Sequence, residues 1–174
     1  MQEILKRAKQ IRLVIFDVDG VLTDGSLFLG DDGQEYKAFN SRDGLGMKLL
    51  QKSGLEIGII TGRTSNVVAL RMESLGIRHV YQGQEDKVPA FRELRDKLGL
   101  TNEQIAYVGD DVVDLPVMRQ VGLAMTVRDA HPLVRQYAHW QAQAGAGRGA
   151  VREICELLME AQGTLEQAFG KYLD

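Results

Sequence analysis

Polar residues that suit a divalent cation follow three apolar runs along the chain. Asp17 and Asp19 come directly after the first run, and Asp110 and Asp111 come directly after a later one. Thr61 follows a third run in the same way. Carboxylates held close together raise one another's pKa unless a cation neutralises them. A set of oxygen ligands without His or Cys favours Mg²⁺, so these positions predict a magnesium site.

Lys87 supplies a positive charge that such an acidic site needs. It opens a helical segment whose start is expected to face the same part of the molecule. A lysine there can neutralise both a nucleophilic carboxylate and a bound phosphate, while Thr61 offers a hydroxyl donor. The two side chains therefore complement the carboxylates at a site that would bind a phosphate group.

Alternating strand-like and helical segments must position these side chains. The runs that predict strands are residues 12–16, 55–60, 77–81, 105–108 and 123–127. The helical patterns are residues 45–52, 65–75, 87–98, 111–121 and 149–161. This alternation predicts an α/β fold with a doubly wound, mostly parallel sheet and helices on both faces. Since parallel strands end at a common edge, the polar residues are expected to converge there.

We expect residues 1–174 to form a single domain with a small hairpin flap. Residues 25–40 contain two strand-like runs around Asp31, Asp32 and Gly33, and an Asp-Gly step favours a hairpin. The hairpin is interpreted as a lid or an oligomer contact, and a merely decorative surface hairpin is the alternative. The tail, residues 163–174, is either frayed or docked on a neighbouring subunit.

Composition excludes several classes of partner. With a net charge of −3, the chain has no global field that would gather nucleic acid or an anionic membrane. The first ten residues mix charges with apolar residues and do not resemble a signal peptide, and no apolar run approaches the ~20 residues of a membrane span. We therefore expect a cytoplasmic protein with no membrane or nucleic-acid partner. The one cysteine, Cys155, is predicted to be a buried thiol.

Four ordered motifs resemble those of the haloacid dehalogenase superfamily phosphatases. They are DVDGVLTD, the strand-ending Thr61, Lys87 and GDDVVD. The resemblance implies catalytic roles for Asp17, Asp19, Thr61 and Lys87. Asp17 would be the nucleophile that forms an aspartyl-phosphate, and Asp19 the general acid and then the general base. The short insertion after the first motif is similar to that of the capless members.

The resemblance also implies how the metal is held. Mg²⁺ would be bound by Asp17, by the backbone carbonyl of Asp19 and by Asp110. Asp111 and Asp114 would orient metal-bound waters or Lys87 rather than bind the metal directly. For Asp114, a structural role at the start of a helix is the alternative.

Finer motifs resemble the phosphatases of 3-deoxy-D-manno-octulosonate 8-phosphate (KDO 8-phosphate), an eight-carbon sugar-acid phosphate. These motifs are VLTDG, KAFNSRDGLG, TGRTSNVV, YQGQEDK, YVGDDVVDLPVM and GAGRGAVREI, and they cover nearly the whole chain. The resemblance implies a role in lipopolysaccharide biosynthesis and a homotetramer whose hairpins pack together. It implies substrate contacts from Asp19, Asn40, Ser41, Arg42, Asp43, Gly44, Lys48, Arg63, Arg71 and Lys87.

Two arginines suggest how the sugar-acid carboxylate would be recognised. Arg63 and Arg71 are eight residues apart, and a guanidinium binds a carboxylate through two hydrogen bonds. Phosphatases of nine-carbon acid sugars typically carry an acidic residue and a lysine at these places, so the pair favours the eight-carbon acid. For Arg71 the alternative is an exposed helix face. In the loop 40–44, the alternative to substrate contact is a pairing of Arg42 with Asp43.

Three other functions are weighed against this one. A phosphatase of a nine-carbon acid sugar or of another small phosphate ester would use the same chemistry. A phospho-accepting receiver-like signalling module also carries acidic residues, Thr and Lys at strand ends. Receivers have their acidic pair early in the chain, whereas this chain has an Asp-x-Asp first and the adjacent pair last. An inactive scaffold is disfavoured because Asp17, Asp19, Lys87 and Asp110 are all present.

Overall fold

The computed structural model describes residues 1–173, and within them eight strands and eight helices are formed. The strands are β1 (Leu13–Phe16), β2 (Phe28–Leu29), β3 (Glu35–Tyr36), β4 (Glu56–Ile60), β5 (His79–Tyr81), β6 (Ile105–Gly109), β7 (Leu123–Thr126) and β8 (Trp140–Gln141). The helices are α1 (Gln2–Ala8), α2 (Ser41–Lys52), α3 (Asn66–Leu75), α4 (Val88–Lys97), α5 (Leu115–Met118), α6 (Pro132–Tyr137), α7 (Ala150–Ala161) and α8 (Leu165–Gly170).

Six strands form one parallel sheet in the order β5-β4-β1-β6-β7-β8. The central strand β1 is fully buried, as expected for a parallel strand covered on both faces. Its last residue, Phe16, pairs with Ile59 of β4 and with Val108 of β6. The three strands therefore end at nearly the same level, which brings the residues beyond them to one edge.

Helices cover both faces of the sheet, and the side chains of β1 alternate between two cores. Val14 and Phe16 pack with α2, α3 and α7 on one face. Leu13 and Ile15 pack with α4, α5 and α6 on the other. The predicted α/β fold class with a doubly wound parallel sheet is therefore confirmed.

The structure differs from the sequence-based boundaries at two places near the site. The predicted helix 111–121 is a 3₁₀ turn (Val112–Asp114) followed by the short helix α5, because Asp111 and Asp114 cap each other and Pro116 lies in the first turn of a new helix. The predicted loop 40–44 is the first turn of α2. Asn40 caps it by accepting hydrogen bonds from the backbone N–H groups of Arg42 and Asp43.

Strands β2 and β3 form a separate two-stranded hairpin within the predicted flap region 25–40. Its turn closes with a hydrogen bond from the Gly33 N–H to the Gly30 carbonyl, and Gly33 has φ +80°, which favours glycine. Its large apolar side chains are exposed: Leu27, Phe28, Leu29 and Tyr36. A single domain over residues 1–174 remains a prediction, and Asp174 of the predicted tail lies outside the described residues.

The tail up to residue 173 folds back on its own chain. Gly163 has φ +72° and separates α7 from α8. Leu165, Ala168 and Phe169 pack against the core, and the Arg152 guanidinium lies 5.4 Å from the centre of the Phe169 ring. The part of the tail that forms α8 is therefore packed rather than frayed, and docking of the tail on a neighbouring subunit remains a prediction.

Cys155 lies on the buried side of α7 and is fully inaccessible to solvent. Burial raises the pKa of its thiol, with a further contribution from the nearby Asp43 carboxylate. Its surroundings are those predicted for a structural thiol. In the part of the chain that the structure describes, none of the helices combines the length and the apolar character that crossing a membrane requires.

Candidate active site

Three carboxylates meet at the carboxyl edge of the sheet, beyond β1 and β6. One oxygen of each of Asp17, Asp110 and Asp114 lies within 4.8 Å of those of the other two. Asp17 follows β1 directly and Asp110 follows β6 directly, so the in-register strands deliver both. Thr61 directly follows the neighbouring β4 and is buried. The sequence-based expectation that these strand ends converge therefore agrees with the geometry.

Lys87 joins this cluster through two short ion pairs. It stands directly before α4, and its Nζ lies 2.6 Å from Asp17 Oδ2 and 2.7 Å from Asp114 Oδ1. Burial lowers the pKa of Lys87, but the two carboxylates raise it, and the net direction is upward. The lysine therefore stays charged in a buried position and fixes the Asp17 side chain.

The Asp114 carboxylate is fully buried and both of its oxygens are already bonded. Besides Lys87, Oδ1 accepts a hydrogen bond of 2.7 Å from the Tyr107 hydroxyl. Oδ2 accepts from the backbone N–H groups of Asp110 at 2.9 Å and Asp111 at 3.2 Å. These bonds favour the prediction that Asp114 orients Lys87 rather than binding metal. Its part in starting the 3₁₀ turn is compatible with that role.

Asp17 and Asp110 have strongly raised pKa values. Burial, followed by the charge of Asp114, raises the pKa of Asp17 to about 6. Burial, followed by the charges of Asp114 and Asp17, raises the pKa of Asp110 to about 8. A divalent cation would offset both effects, and carboxylate oxygens are the donors that Mg²⁺ prefers. The residues present therefore fit the predicted metal.

The stability of the metal-free protein should fall as the pH rises from the usual carboxyl pKa towards that of folded Asp110. The carboxyl has a pKa of 3.8 when unperturbed and about 8 in the fold. Between these values the unfolded chain has released a proton that the folded chain retains, so raising the pH favours unfolding. Saturating Mg²⁺ should remove this trend. Urea unfolding across this pH range, with and without Mg²⁺, measures it, and a flat metal-free profile would contradict the site.

Two glycines allow the acidic residues to approach so closely. Gly20, in the first motif, has φ +84°, and a Cβ there would come within 2.1 Å of Asp110 Oδ2. A Cβ at Gly109 would come within 2.4 Å of the Asp114 side chain. Any larger residue at either position would displace a carboxylate of the site.

Asp19 is held by residues that sequence reasoning missed. Its Oδ1 lies 2.5 Å from the Nζ of Lys37, and this lysine side chain is 1% exposed. Lys37 also lies 3.3 Å from Glu35 Oε1. The two residues alternate along an extended segment, so their side chains point to the same face. This alternation in the predicted hairpin indicates that Glu35 and Lys37 share a face, but it does not indicate that Asp19 lies against that face.

Arg63 and Arg71 make different contacts. The Nη2 of Arg63 lies 3.1 Å from Glu35 Oε1, and its Nε lies 3.9 Å from Asp19 Oδ2. Arg71 lies 5.7 Å from the centre of the Phe39 ring, and its Nη2 contacts the Asn40 carbonyl at 3.5 Å. Arg63 thus stands beside Asp19, whereas the partly buried Arg71 stands at the start of α2.

The predicted substrate loop 40–44 is divided by its helical conformation. Ser41, Arg42 and Lys48 are exposed on α2. Asp43 is 1% exposed, and its Oδ1 accepts a hydrogen bond of 2.8 Å from the Arg152 N–H at the start of α7. Burial raises the pKa of this carboxyl. Asp43 therefore offers almost no surface to a substrate and joins α2 to α7 instead of pairing with Arg42.

The end of α2 that faces the loop is closely packed. Gly44 is buried, and a Cβ there would come within 2.4 Å of Arg71 Nη2. The side-chain amide of Asn40 donates to the Gly147 carbonyl at 3.3 Å while its oxygen caps α2. The backbone N–H groups of Arg42 and Asp43 in the predicted substrate loop are therefore already bonded to the Asn40 cap.

Comparisons with known proteins agree with this geometry. The family profile of the haloacid dehalogenase-like hydrolases matches residues 45–122. The chain is 50% identical over 169 residues to the 3-deoxy-D-manno-octulosonate 8-phosphate phosphatase of Escherichia coli K12, covering 97% of this chain and 90% of that protein.

Two solved structures are similar over most of their length. The 3-deoxy-D-manno-octulosonate 8-phosphate phosphatase of Yersinia pestis superposes with a TM-score of 0.93 at 50% identity, covering 94% of this chain and 89% of that one. The Moraxella catarrhalis phosphatase, crystallised with a magnesium ion, a phosphate ion and KDO, superposes with a TM-score of 0.97 at 41% identity, covering 99% of each chain.

Proposed function

Since the chain belongs to the 3-deoxy-D-manno-octulosonate 8-phosphate phosphatases, within the haloacid dehalogenase-like hydrolases, we propose that it hydrolyses this ester to KDO and phosphate. The observation that carries the proposal is the ion pair between Asp17 and Lys87 beside Asp110. It presents a nucleophilic carboxylate, a cation for the phosphate and an acidic partner for a metal at one sheet edge. The reaction places the enzyme in lipopolysaccharide biosynthesis.

Asp17 attacks the phosphorus atom while the ester bond to the sugar breaks. Its Oδ1 accepts a hydrogen bond of 2.7 Å from the Val18 N–H and its Oδ2 is paired with Lys87, so the carboxylate cannot rotate freely. Asp19 donates a proton to the departing sugar oxygen. Water then attacks the aspartyl-phosphate and gives its proton to Asp19, which restores both carboxyl groups.

The remaining residues stabilise charge around the phosphate. Lys87 and the Thr61 hydroxyl are the donors proposed for its oxygens. Asp17, the Asp19 backbone carbonyl and Asp110 would hold Mg²⁺. When bound, the ion supplies positive charge that favours ionised carboxylates and offsets charge on the phosphate oxygens.

A sugar acid needs a second cationic contact for its carboxylate. Arg63 is 46% exposed beside Asp19 and can turn towards a ligand. Arg71, partly buried against Phe39, is the more fixed of the two. We therefore assign Arg63 to the substrate carboxylate and Arg71 to shaping the loop, with Ser41, Arg42 and Lys48 as the exposed positions on α2 that a substrate can reach.

A phosphate-release screen tests the function. We expect the purified protein with Mg²⁺ to hydrolyse KDO 8-phosphate with a much higher kcat/KM than nine-carbon acid sugar phosphates or neutral hexose phosphates. Excess EDTA should stop the reaction and added Mg²⁺ should restore it. Comparable kcat/KM values across unrelated sugar phosphates would remove the substrate assignment. A long-lived phosphoprotein without phosphate release would instead favour a receiver-like module.

The chain is further proposed to act as a cytoplasmic homotetramer. The exposed side chains of Leu27, Phe28, Leu29 and Tyr36 support this assignment, because an apolar group of this size on a small hairpin gains from being covered. Contact between hairpins would also hold them over the edge where Asp19 lies. Sedimentation equilibrium of the full chain measures the number of subunits, and a monomer at assay concentration would contradict the assembly.

A further inference from the structure

Lys37 is a buried lysine that pairs with two carboxylates of the candidate site. Its side chain is 1% exposed, against 20% for Asp19 and 16% for Glu35. A lysine loses its hydration when it is buried and is retained there only where carboxylates replace it. An exposed lysine would contribute to solubility without this desolvation cost. We therefore look for a role of Lys37 in the chemistry of the neighbouring Asp19.

The four charges form a closed ring in which each oxygen of Asp19 faces a different cation. Lys37 contacts Asp19 Oδ1 at 2.5 Å, and Arg63 lies at 3.9 Å from Oδ2. Glu35 contacts both cations, at 3.3 Å and 3.1 Å. The two contacts with Asp19 are unequal. Oδ1 is held tightly, and Oδ2 is left with a long contact that an entering substrate can displace.

We propose that Lys37 is a positioning residue for the proton transfers made by Asp19. This proposal deepens the proposed function and rests on it. By holding Oδ1, Lys37 orients Oδ2 towards the leaving oxygen. The Oδ2–H proton moves to that oxygen as the phosphorus–oxygen bond to the leaving group breaks and the bond to Asp17 forms. In the second step the proton of the attacking water returns to Oδ2 as the bond from phosphorus to Asp17 breaks.

The placement of Lys37 ties this role to the hairpin. Lys37 directly follows β3 (Glu35–Tyr36), so any shift of the hairpin base moves both Lys37 and Glu35 relative to Asp19. The apolar side chains of Phe28 and Tyr36 belong to the same hairpin and pair across it. A surface that covers the hairpin would therefore also restrict the motion of Lys37 and, through it, of the Asp19 carboxyl.

The Lys37→Met variant tests the proposal, with Lys97→Met, an exposed lysine on α4, as the matched control. For KDO 8-phosphate we expect kcat to fall about 10²-fold, the range that general acid–base catalysis supplies, with KM nearly unchanged. The second readout compares p-nitrophenyl phosphate, whose leaving group needs little protonation, with phenyl phosphate. The kcat/KM for p-nitrophenyl phosphate divided by that for phenyl phosphate should rise in Lys37→Met. The same ratio should stay at the wild-type value in Lys97→Met.

Each alternative gives a different result. A raised KM with unchanged kcat would make Lys37 a substrate contact and overturn the proposal, as would an equal loss on both aryl phosphates. If neither aryl ester is hydrolysed, the changes in kcat and KM that Lys37→Met causes for KDO 8-phosphate decide between a positioning role and a substrate contact. If Lys37→Met fails to fold, the Lys37→Met/Glu35→Gln double variant, which removes one charge of each sign from the ring, is assayed in its place. If the wild-type protein hydrolyses the aryl esters but not KDO 8-phosphate, only the substrate assignment is wrong.

Discussion

The Asp17→Asn variant is expected to lose phosphatase activity while it keeps its fold. The asparagine amide is a poor nucleophile and cannot form the aspartyl-phosphate, so kcat should fall by at least about 10⁴-fold. The fold should survive because the amide has nearly the same size and Lys87 keeps its ion pair with Asp114. Removing a buried carboxyl whose pKa is raised to about 6 also relieves its desolvation.

Steady-state phosphate release and thermal unfolding of the same preparation check both halves of this prediction. Asp31→Asn, in the exposed hairpin turn, is the matched control and should behave as wild type. Intact mass after rapid quenching of a reaction should show a phosphorylated species in the wild type and none in Asp17→Asn. Activity of Asp17→Asn within tenfold of wild type would exclude Asp17 as the nucleophile.

The Asp114→Ala variant is expected to be strongly destabilised. The change leaves the buried Tyr107 hydroxyl and two backbone N–H groups without their acceptor, and Lys87 keeps only Asp17. Breaking a buried ion pair by removing one partner costs about 3–5 kcal/mol. The free energy of unfolding should fall by that amount, and kcat should also fall because Lys87 is no longer fixed from two sides.

Urea unfolding measures this change against a surface control. Asp96→Ala removes an exposed carboxylate that pairs with Arg95, and such pairs contribute about 0–1 kcal/mol. A loss in Asp114→Ala as small as in the control would mean that the hydrogen bonds around Asp114 do not stabilise the fold. Asp114 lies in the same cluster as Asp17 and Asp110. Urea unfolding and kcat are therefore both measured for Asp114→Ala, so that an effect on stability is distinguished from an effect on catalysis.

The strand ends of the site could be predicted because they depend on short-range signals. The buried run before Asp17 and the run before Asp110 are β-prone, and parallel strands in register bring their next residues to one edge of the sheet. The Gly76 C-cap of α3 is a similar local feature, and its φ of +71° is the conformation that favours glycine after a helix. Local patterns identify the strands, and the general rule for parallel sheets supplies the convergence of their ends.

Contacts between distant segments escaped prediction for a physical reason. Lys37 meets Asp19 across 18 positions, and this pairing depends on the path of the hairpin, which no local pattern fixes. The burial of Asp43 likewise depends on α7, which is 109 positions away at their hydrogen bond. The short strand β8 was missed because two residues carry no periodicity. The contacts of Arg63 with Glu35 and of Arg71 with Phe39 likewise depend on the path of the chain through the flap region.

The packing of α7 gives the protein a built-in reporter of its own breathing motions. The chain has a single thiol, and it lies on the inner side of that helix, away from solvent. A soluble thiol reagent can reach it only during moments when α7 parts from its neighbours. The rate of labelling at Cys155 therefore reports how often α7 opens in the wild-type protein, without an introduced cysteine.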